Sequence, residues 1–201
     1  MDAFGIDQLP KTLRMRLRRR NLSPGSALFR QGDHAVAVYV VEQGRLAMIR
    51  HTADGRRITL FTAGPGDSFA EAALFSEIYH CDAVAELRTR VVSIPTAELR
   101  TVIARHKSLA ERLMARLAHQ VQELRLRIEL RSIRGARERV LQFLLLATQA
   151  KGGTVTFPRP LKDVAGEIGL TPESFYRALA ALAKSGRIRR RGRRIDLVAR
   201  T

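Results

Sequence analysis

The most regular pattern of apolar and polar positions lies between residues 161 and 182. Apolar side chains recur there every three or four residues, first at Leu161, Val164, Ala165 and Ile168 and then at Phe175, Ala178, Leu179 and Leu182. Each set forms one buried stripe on a helix with 3.6 residues per turn. Gly169 is placed to end the first helix, Thr171 to cap the second, and Pro172 to occupy its first turn. The segment predicts a helix-turn-helix.

The polar side of the second predicted helix carries the candidate DNA-binding residues, which are Thr171, Pro172, Glu173, Ser174, Tyr176 and Arg177. A recognition helix places its N-terminal residues against base edges in the major groove. There a Glu accepts from cytosine N4, and an Arg bonds guanine O6 and N7 together, which predicts a G·C-containing core. A second interpretation stays open, since Glu173 and Arg177 also have the spacing of an ordinary i,i+4 surface pair worth about 0.3 kcal/mol.

The segment after this helix, Ser185–Val198, predicts a β-hairpin wing that turns at Gly192. Six of its residues are Arg, and we expect Arg189, Arg190, Arg191 and Arg193 to contact phosphates. Such contacts give affinity and register without sequence information. The alternative is a solvated basic tail, but a mere tail would not need the apolar anchors Ile188, Ile195 and Leu197.

Positive charge is concentrated in the second half of the chain. The sequence has 36 Lys and Arg against 19 Asp and Glu in 201 residues. The basic and acidic counts are 13 and 11 for residues 1–98, 11 and 4 for residues 99–150, and 12 and 4 for residues 151–201. This distribution predicts a nearly neutral module joined to one that binds a polyanion. No helix combines a basic face with a broad aromatic and Leu face, and Trp is absent, so double-stranded DNA is favoured over a membrane.

Short β-prone runs alternate with glycine turns between about residues 20 and 95. The runs are Ala27–Phe29, Val36–Val41, Gly44–Arg50, Arg57–Phe61 and Arg90–Ile94. Many short strands at this spacing predict an antiparallel roll or sandwich. The N-terminus has no sustained apolar stretch, and no transmembrane run occurs, so we expect a cytoplasmic protein.

A long helical segment follows the strands, because residues 96–134 contain neither Gly nor Pro. It carries apolar residues at steps of three and four, at Met114, Leu117, Val121, Leu124 and Ile128. Such a stripe packs inside one chain or pairs two chains, and the single coiled-coil seam favours a homodimer. A dimer would present two recognition helices about 34 Å apart, one turn of DNA.

The order of these parts resembles the bacterial cyclic-AMP receptor and fumarate-nitrate regulator (Crp/Fnr) family of transcription factors. The resemblance spans nearly the whole chain and is carried by Gly32-Asp33, Gly44, Gly66–Phe75 and Gly169–Arg177. It implies an α+β protein with a β-roll (1–106), a dimerisation helix (107–133) and a winged helix-turn-helix (134–201). It also implies base reading by Glu173 and Arg177 on a near-palindromic operator, with RNA polymerase as a further partner. No enzymatic activity is expected.

The effector pocket departs from the family's cyclic-nucleotide binders. Their phosphate cassette aligns with Phe69–Phe75, where Glu71 keeps the residue that holds a ribose hydroxyl and Ala72 lies beside it. The family's Arg-Ser pair falls on Cys81-Asp82, and its adenine-reading Thr-Ser pair falls on Leu124-Arg125. Loss of a charge-assisted bond to a partly buried phosphate costs about 2 to 5 kcal/mol. The resemblance therefore disfavours cyclic AMP and leaves the effector unidentified.

His80 and Cys81 leave other sensing chemistry open. They could ligate haem iron or a soft metal, or Cys81 could be oxidised, although a single Cys in a β-roll is more often a small buried apolar residue. One Cys cannot hold an iron-sulfur cluster, and no metal site is predicted. A cupin-like metalloenzyme is disfavoured, because the chain lacks the His-x-His pair that such a site needs.

Overall fold

A computed structural model describes residues 6–149, 153–157 and 160–198. The chain divides into two compact units, Met1–Ala118 and His119–Thr201. The helices are α1 (Lys11–Arg14), α2 (Thr96–Arg105), α3 (Lys107–Ser132), α4 (Ala136–Gln149), α5 (Leu161–Glu167) and α6 (Pro172–Lys184). The strands are β1 (Arg18–Leu22), β2 (Ala27–Phe29), β3 (Ala37–Gln43), β4 (Leu46–His51), β5 (Arg57–Ala63), β6 (Ser68–Phe69), β7 (Asp82–Ala85), β8 (Thr89–Pro95), β9 (Thr154–Thr156), β10 (Ile188–Arg191) and β11 (Arg194–Leu197). Short 3-10 turns occur at Ile6–Gln8 and Glu71–Leu74.

Two four-stranded antiparallel sheets form a roll in the first unit. Their strand orders are β1-β8-β3-β6 and β2-β7-β4-β5. Successive side chains of a strand point to opposite faces, and β3 is covered on both. Tyr39 and Val41 pack inside the roll, while Val38 and Val40 pack with residues of α2 and α3. This double burial explains why β3 is an uninterrupted apolar run in the sequence.

Four aromatic side chains fill part of the roll interior, namely Phe29, Tyr39, Phe69 and Tyr79. The rings of Phe29 and Tyr79 stack with their centroids 3.8 Å apart. The hydroxyl of Tyr79 donates to the carbonyl of Ala37 at 2.9 Å. Burial, reinforced by Tyr79, raises the pKa of Tyr39 well above its usual range, so this phenol stays neutral.

The helical segment after β8 is interrupted once. His106 adopts an extended conformation, with φ −121° and ψ 91°, and separates α2 from α3. Helix α3 then runs for 26 residues, a length of about 39 Å. Its first part belongs to the first unit and the remainder to the second.

The second unit packs helices on a small three-stranded antiparallel sheet of order β10-β11-β9. Its core includes Leu130 of α3, Leu144 of α4, Val164 of α5, Phe175 of α6 and Ile195 of β11, all fully buried or nearly so. The apolar stripes that were predicted for the two helices both lie in this core. It therefore orients the helix-turn-helix and the wing together.

The predicted fold class is confirmed, since a β-roll, a long helix and a winged helix-turn-helix occur in this order. The predicted β-runs correspond to β2, β3, β4, β5 and β8. Strands β1, β6, β7 and β9 were not predicted. Within the described part of the chain, none of the helices combines the length and apolar character that crossing a bilayer requires.

Candidate functional site

The turn between α5 and α6 is built on Gly169. Its φ of +67° lies in the left-handed region, which favours glycine. A Cβ at this position would approach Arg131 Cγ to 3.1 Å. The hydroxyl of Thr171 accepts a hydrogen bond from Ser174 N at 3.2 Å and so caps α6. Pro172 is the first residue of α6, so both predicted start signals are confirmed.

Helix α6 separates a buried face from an exposed one. Phe175, Ala178, Leu179 and Leu182 lie in the core of the second unit, as predicted. On the other side Thr171, Pro172, Glu173, Tyr176 and Arg177 are exposed, and Ser174 is partly exposed. The helix is thus held by one face, and the predicted base-reading residues share a single outward surface.

Hydrogen bonds at the start of α6 order the polar side chains. A bond from its own backbone N–H, then one from Thr171, lower the pKa of the Glu173 carboxyl below its usual range. Arg177 contributes a smaller charge effect in the same direction. The guanidinium of Arg177 donates to Ser174 Oγ at 3.3 Å. Glu173 is therefore an ionised acceptor and Arg177 a positioned donor at the end of the helix that meets the major groove in the recognition geometry.

The wing is an antiparallel hairpin of β10 and β11 that turns at Gly192, as predicted. Ile188 and Ile195 are buried in the core of the second unit, and Leu197 packs against it. Arg189, Arg190, Arg191 and Arg193 are exposed. The apolar anchors rule out the alternative of a mere basic tail, since they fix the hairpin to the core beside α6.

Strand β9 extends the sheet of the wing, although it lies outside the segment that was predicted to form the wing. It pairs with β11, and Thr154 Oγ1 donates to Asp196 Oδ1 at 2.7 Å. This bond, followed by one from Arg194, lowers the pKa of Asp196 below its usual range. The β-branched run Thr154–Thr156 was the only sequence signal for this strand.

The predicted seam on α3 is exposed to solvent. Met114 is 60% exposed, Leu117 36%, Val121 46%, Leu124 53% and Ile128 66%. Isolated exposed apolar residues are ordinary, but five on one stripe of a single helix form an uncovered apolar surface. Arg125, next to the seam, is exposed as well.

The predicted effector residues of the first unit are Glu71, Ala72, His80, Cys81 and Asp82, here called the sensor region. Glu71 is buried, and its Oε1 accepts a hydrogen bond from Ser68 Oγ at 2.6 Å. Ala72 is exposed. Ala70, just before Glu71, has a φ of +64°, in the left-handed region that favours glycine. The carboxylate of Glu71, on the 3-10 turn, is therefore held by a hydroxyl of strand β6.

The carboxylate of Asp82, the other acid of the sensor region, contacts residues that are distant in the sequence. It accepts a hydrogen bond from Gln31 N at 2.7 Å, and its other oxygen lies 3.9 Å from His51 Nδ1. Cys81 is partly buried. Burial, then the charge of Asp82, raise the pKa of its thiol above the usual value. In the sequence the Asp82 carboxylate thus directly follows Cys81, the residue that the resemblance aligns with the arginine of the family's nucleotide binders.

His80 is exposed, and its Nε2 lies 3.1 Å from Ser76 Oγ. Among the residues that the structure describes, no group of three or more His, Cys, Asp or Glu side chains is arranged to hold a metal ion. Leu124 and Arg125, the remaining predicted effector positions, belong to the second unit.

Comparison with known proteins identifies the family. The cyclic nucleotide-binding domain model matches residues 19–106, and the Crp-like helix-turn-helix domain model matches residues 138–201. The Cyclic AMP receptor protein of Thermus thermophilus is 32% identical over 172 residues, which cover 85% of this chain and 79% of that protein. The chain belongs to the Crp/Fnr family of transcription regulators. This is a family of DNA-binding regulators, not one of enzymes, and α6 is the second helix of a Crp-like helix-turn-helix.

Two further Crp/Fnr comparisons cover most of the chain. The Nitrogen fixation regulation protein FixK of Bradyrhizobium diazoefficiens is 27% identical over 177 residues, or 85% of this chain and 74% of that protein. The solved structure of FixK2 from Bradyrhizobium japonicum has a TM-score of 0.69 and 26% identity, covering 92% of this chain and 93% of that one. The likeness therefore extends over roll, long helix and DNA-binding module.

Proposed function

We propose that this Crp/Fnr regulator acts as a homodimer on a near-palindromic operator. Glu173 and Arg177 read bases in each half-site, Tyr176 contacts the neighbouring positions, and the wing arginines bind phosphates. The observation that carries the proposal is the burial of one face of α6, which leaves an ionised Glu173 and a positioned Arg177 on the other. Promoter DNA and RNA polymerase are its partners, so the cytoplasm is its place of action.

The exposed seam of α3 supports the dimer. Five apolar side chains at steps of three and four match the a and d positions of a two-stranded coiled coil. Pairing with a second copy removes this surface from water, which gains about 25 cal/mol for each Å² of apolar surface. A symmetric pair presents two identical recognition helices, which is why the operator is a near-palindrome.

Selection of duplexes from a random pool, followed by footprinting and light scattering, tests this function. We expect two inverted half-sites with centres about one helical turn apart, G·C pairs within each, and a complex with two protein chains. A protein that selects no sequence, or that binds its operator as a monomer, would contradict the proposal.

We further propose that the roll does not bind cyclic AMP. Cys81 stands where the family's binders carry the arginine that neutralises the cyclic phosphate, and next to it Asp82, fixed by Gln31 N, adds a carboxylate that repels this anion. Leu124, at the family's adenine-reading position, has no hydrogen-bonding group. The Cyclic AMP receptor protein of Thermus thermophilus is the natural positive control. Micromolar calorimetric affinity of this chain for cyclic AMP would overturn the proposal.

A matched variant separates the sensor region from the rest of the roll. In Cys81→Arg/Asp82→Ser the two positions carry the family's residues again. We expect this double variant to gain measurable affinity for cyclic AMP, while wild type shows none. A double variant without affinity would mean that other positions of the roll prevent binding. The raised thiol pKa lowers the reactive thiolate fraction of Cys81 at neutral pH, which disfavours a role of this thiol as an iron ligand or redox switch.

A further inference from the structure

Arg139 joins the end of α3 to the turn of the helix-turn-helix. Its Nε donates to Ile133 O at 3.0 Å, and its Nη2 to Ile133 O at 2.6 Å and Arg131 O at 3.2 Å. Its Nη1 donates to Ile168 O and to Gly169 O, both at 3.1 Å. A guanidinium has five N–H donors in a rigid planar fork, and all five are used here.

The acceptors explain why a cation is needed at this position. Arg131 lies at the end of α3, and Ile168 and Gly169 follow α5. The last carbonyls of a helix have no partner within the helix and carry partial negative charge. One guanidinium therefore satisfies the carboxyl ends of two helices at once, which a lysine with its compact ammonium cannot do.

Arg131 makes a second connection across the same joint. Its Nη2 donates to Gly166 O at 3.4 Å, and its side chain lies against Gly169. Helix α6 begins at Pro172, three residues after Gly169 and directly after the Thr171 cap. The apolar core around Leu130 also holds these elements together, but apolar contacts have no preferred direction. The hydrogen bonds of the two arginines, by contrast, are directional contacts.

From this joint we infer that Arg139 is a positioning residue, which sets the distance between half-sites that the dimer accepts. The inference rests on the proposed dimeric function. If α3 pairs the two chains, the path from the pairing helix to each recognition helix passes through the bonds of Arg139. One base pair moves a half-site by about 3.4 Å and turns it by about 35°, so a rigid joint accepts one spacing and a loose joint accepts several.

The experiment compares Arg139→Gln with Arg137→Gln. Both changes remove one positive charge from α4, but among the residues that the structure describes Arg137 donates a single hydrogen bond, to Ser185 Oγ at 3.3 Å. Binding is measured on the operator that wild type selects, on operators with one central base pair inserted or deleted, and on a single half-site. Far-ultraviolet circular dichroism and thermal unfolding establish that each variant is folded.

Wild type and Arg137→Gln should bind the altered spacings at least about tenfold more weakly than the selected operator. For Arg139→Gln we expect the ratio of the affinity for the selected operator to that for the altered spacings to fall to about threefold or less. Affinity for the half-site should stay nearly unchanged. Arg139→Lys should behave like Arg139→Gln, and it answers the same question if Arg139→Gln does not fold.

An unchanged spacing ratio in these variants would overturn the inference, as would an equal loss on half-site and full operator, which marks a purely structural role. These results leave the proposed function standing, because wild type still binds its operator. If wild type selects no operator at all, the proposed function fails and the inference fails with it.

Discussion

Arg190 of the wing packs on Tyr176 of the recognition helix, with its guanidinium carbon 5.2 Å from the centre of the ring. The Nε of Arg190 also donates to Gly192 O at 3.1 Å, so its side chain is held from two sides. A cation over an aromatic face gains about 0.5 to 1 kcal/mol at an exposed site. The wing and the recognition helix therefore form one surface.

This contact predicts that Arg190 and Tyr176 act together in DNA binding. Arg190→Ala should weaken selected and random duplexes alike and make the salt dependence shallower, because a phosphate contact is lost. In a double-mutant cycle with Tyr176→Leu, we expect a coupling of about 0.5 to 1 kcal/mol.

Arg189 provides the matched control for this cycle. It precedes Arg190 on β10 and is likewise exposed, but neighbouring strand residues point to opposite faces. Arg189→Ala and Tyr176→Leu should therefore be additive. Additivity of Arg190→Ala with Tyr176→Leu would show that the stacking has no part in binding.

Arg177→Ala should reduce specificity more than general affinity. An arginine bound to guanine O6 and N7 contributes about 1 to 3 kcal/mol of discrimination at one base pair. The expected result is a loss of this size on the selected operator and a relaxed preference at one position when the selection is repeated. Lys184→Ala removes the same charge from the other end of α6 and should keep the preference. Equal losses on selected and random duplexes would mean that Arg177 binds only the backbone.

Thr171→Ala should destabilise the protein through its helix cap. The Thr171 hydroxyl satisfies Ser174 N at the start of α6, and losing such a cap costs about 1 kcal/mol in the free energy of unfolding. Urea unfolding measures the loss. Thr171→Ser keeps the hydroxyl and should unfold close to wild type; a similar loss in both variants would assign the effect to the Thr methyl group.

The same substitution should move the pKa of Glu173. The larger cause of the lowered pKa is the bond from the backbone N–H of Glu173, which the substitution leaves in place. In Thr171→Ala the pKa should therefore rise but stay below the ordinary value of about 4.3. A lowered folded pKa stabilises the fold above the unfolded value and loses this effect as the pH falls through the folded value. The contribution is thus complete at neutral pH. A carboxyl-carbon titration by nuclear magnetic resonance checks the shift.

Sequence patterns correctly predicted the helices, cap and turn whose structure is determined by residues close together in the chain. The stripes of α5 and α6, the Thr171 cap and the Gly192 turn involve neighbours within about one or two helical turns, so spacing alone identifies them. Strand β1 is different, because Arg18, Arg19 and Arg20 are all exposed at the edge of its sheet and show no alternation. Its pairing with β8 gives it its structure.

The joint around Arg139 could not be predicted for a related reason. Its acceptors are backbone carbonyls, which every residue has, and they come from segments up to 30 residues away. Nothing in the residue types at positions 131, 133, 168 and 169 marks them as partners. Likewise, the resemblance placed Asp82 in the family's phosphate-binding region, but the sequence did not show that Asp82 accepts a bond from Gln31 N, in a loop 51 residues earlier.

The exposed seam on α3 gives the sharpest test of the dimer. Leu124→Asp puts a charge in the middle of the stripe, where pairing would bury it without a partner. We expect a penalty of at least about 2 kcal/mol, or roughly thirtyfold weaker dimerisation by sedimentation. Gln122→Asp adds the same charge to the same helix at an exposed position off the seam, and it should remain dimeric. Because Leu124 is exposed in the single chain, both variants should unfold thermally as similar monomers at low concentration. A Leu124→Asp protein that dimerises as wild type does would place the interface elsewhere.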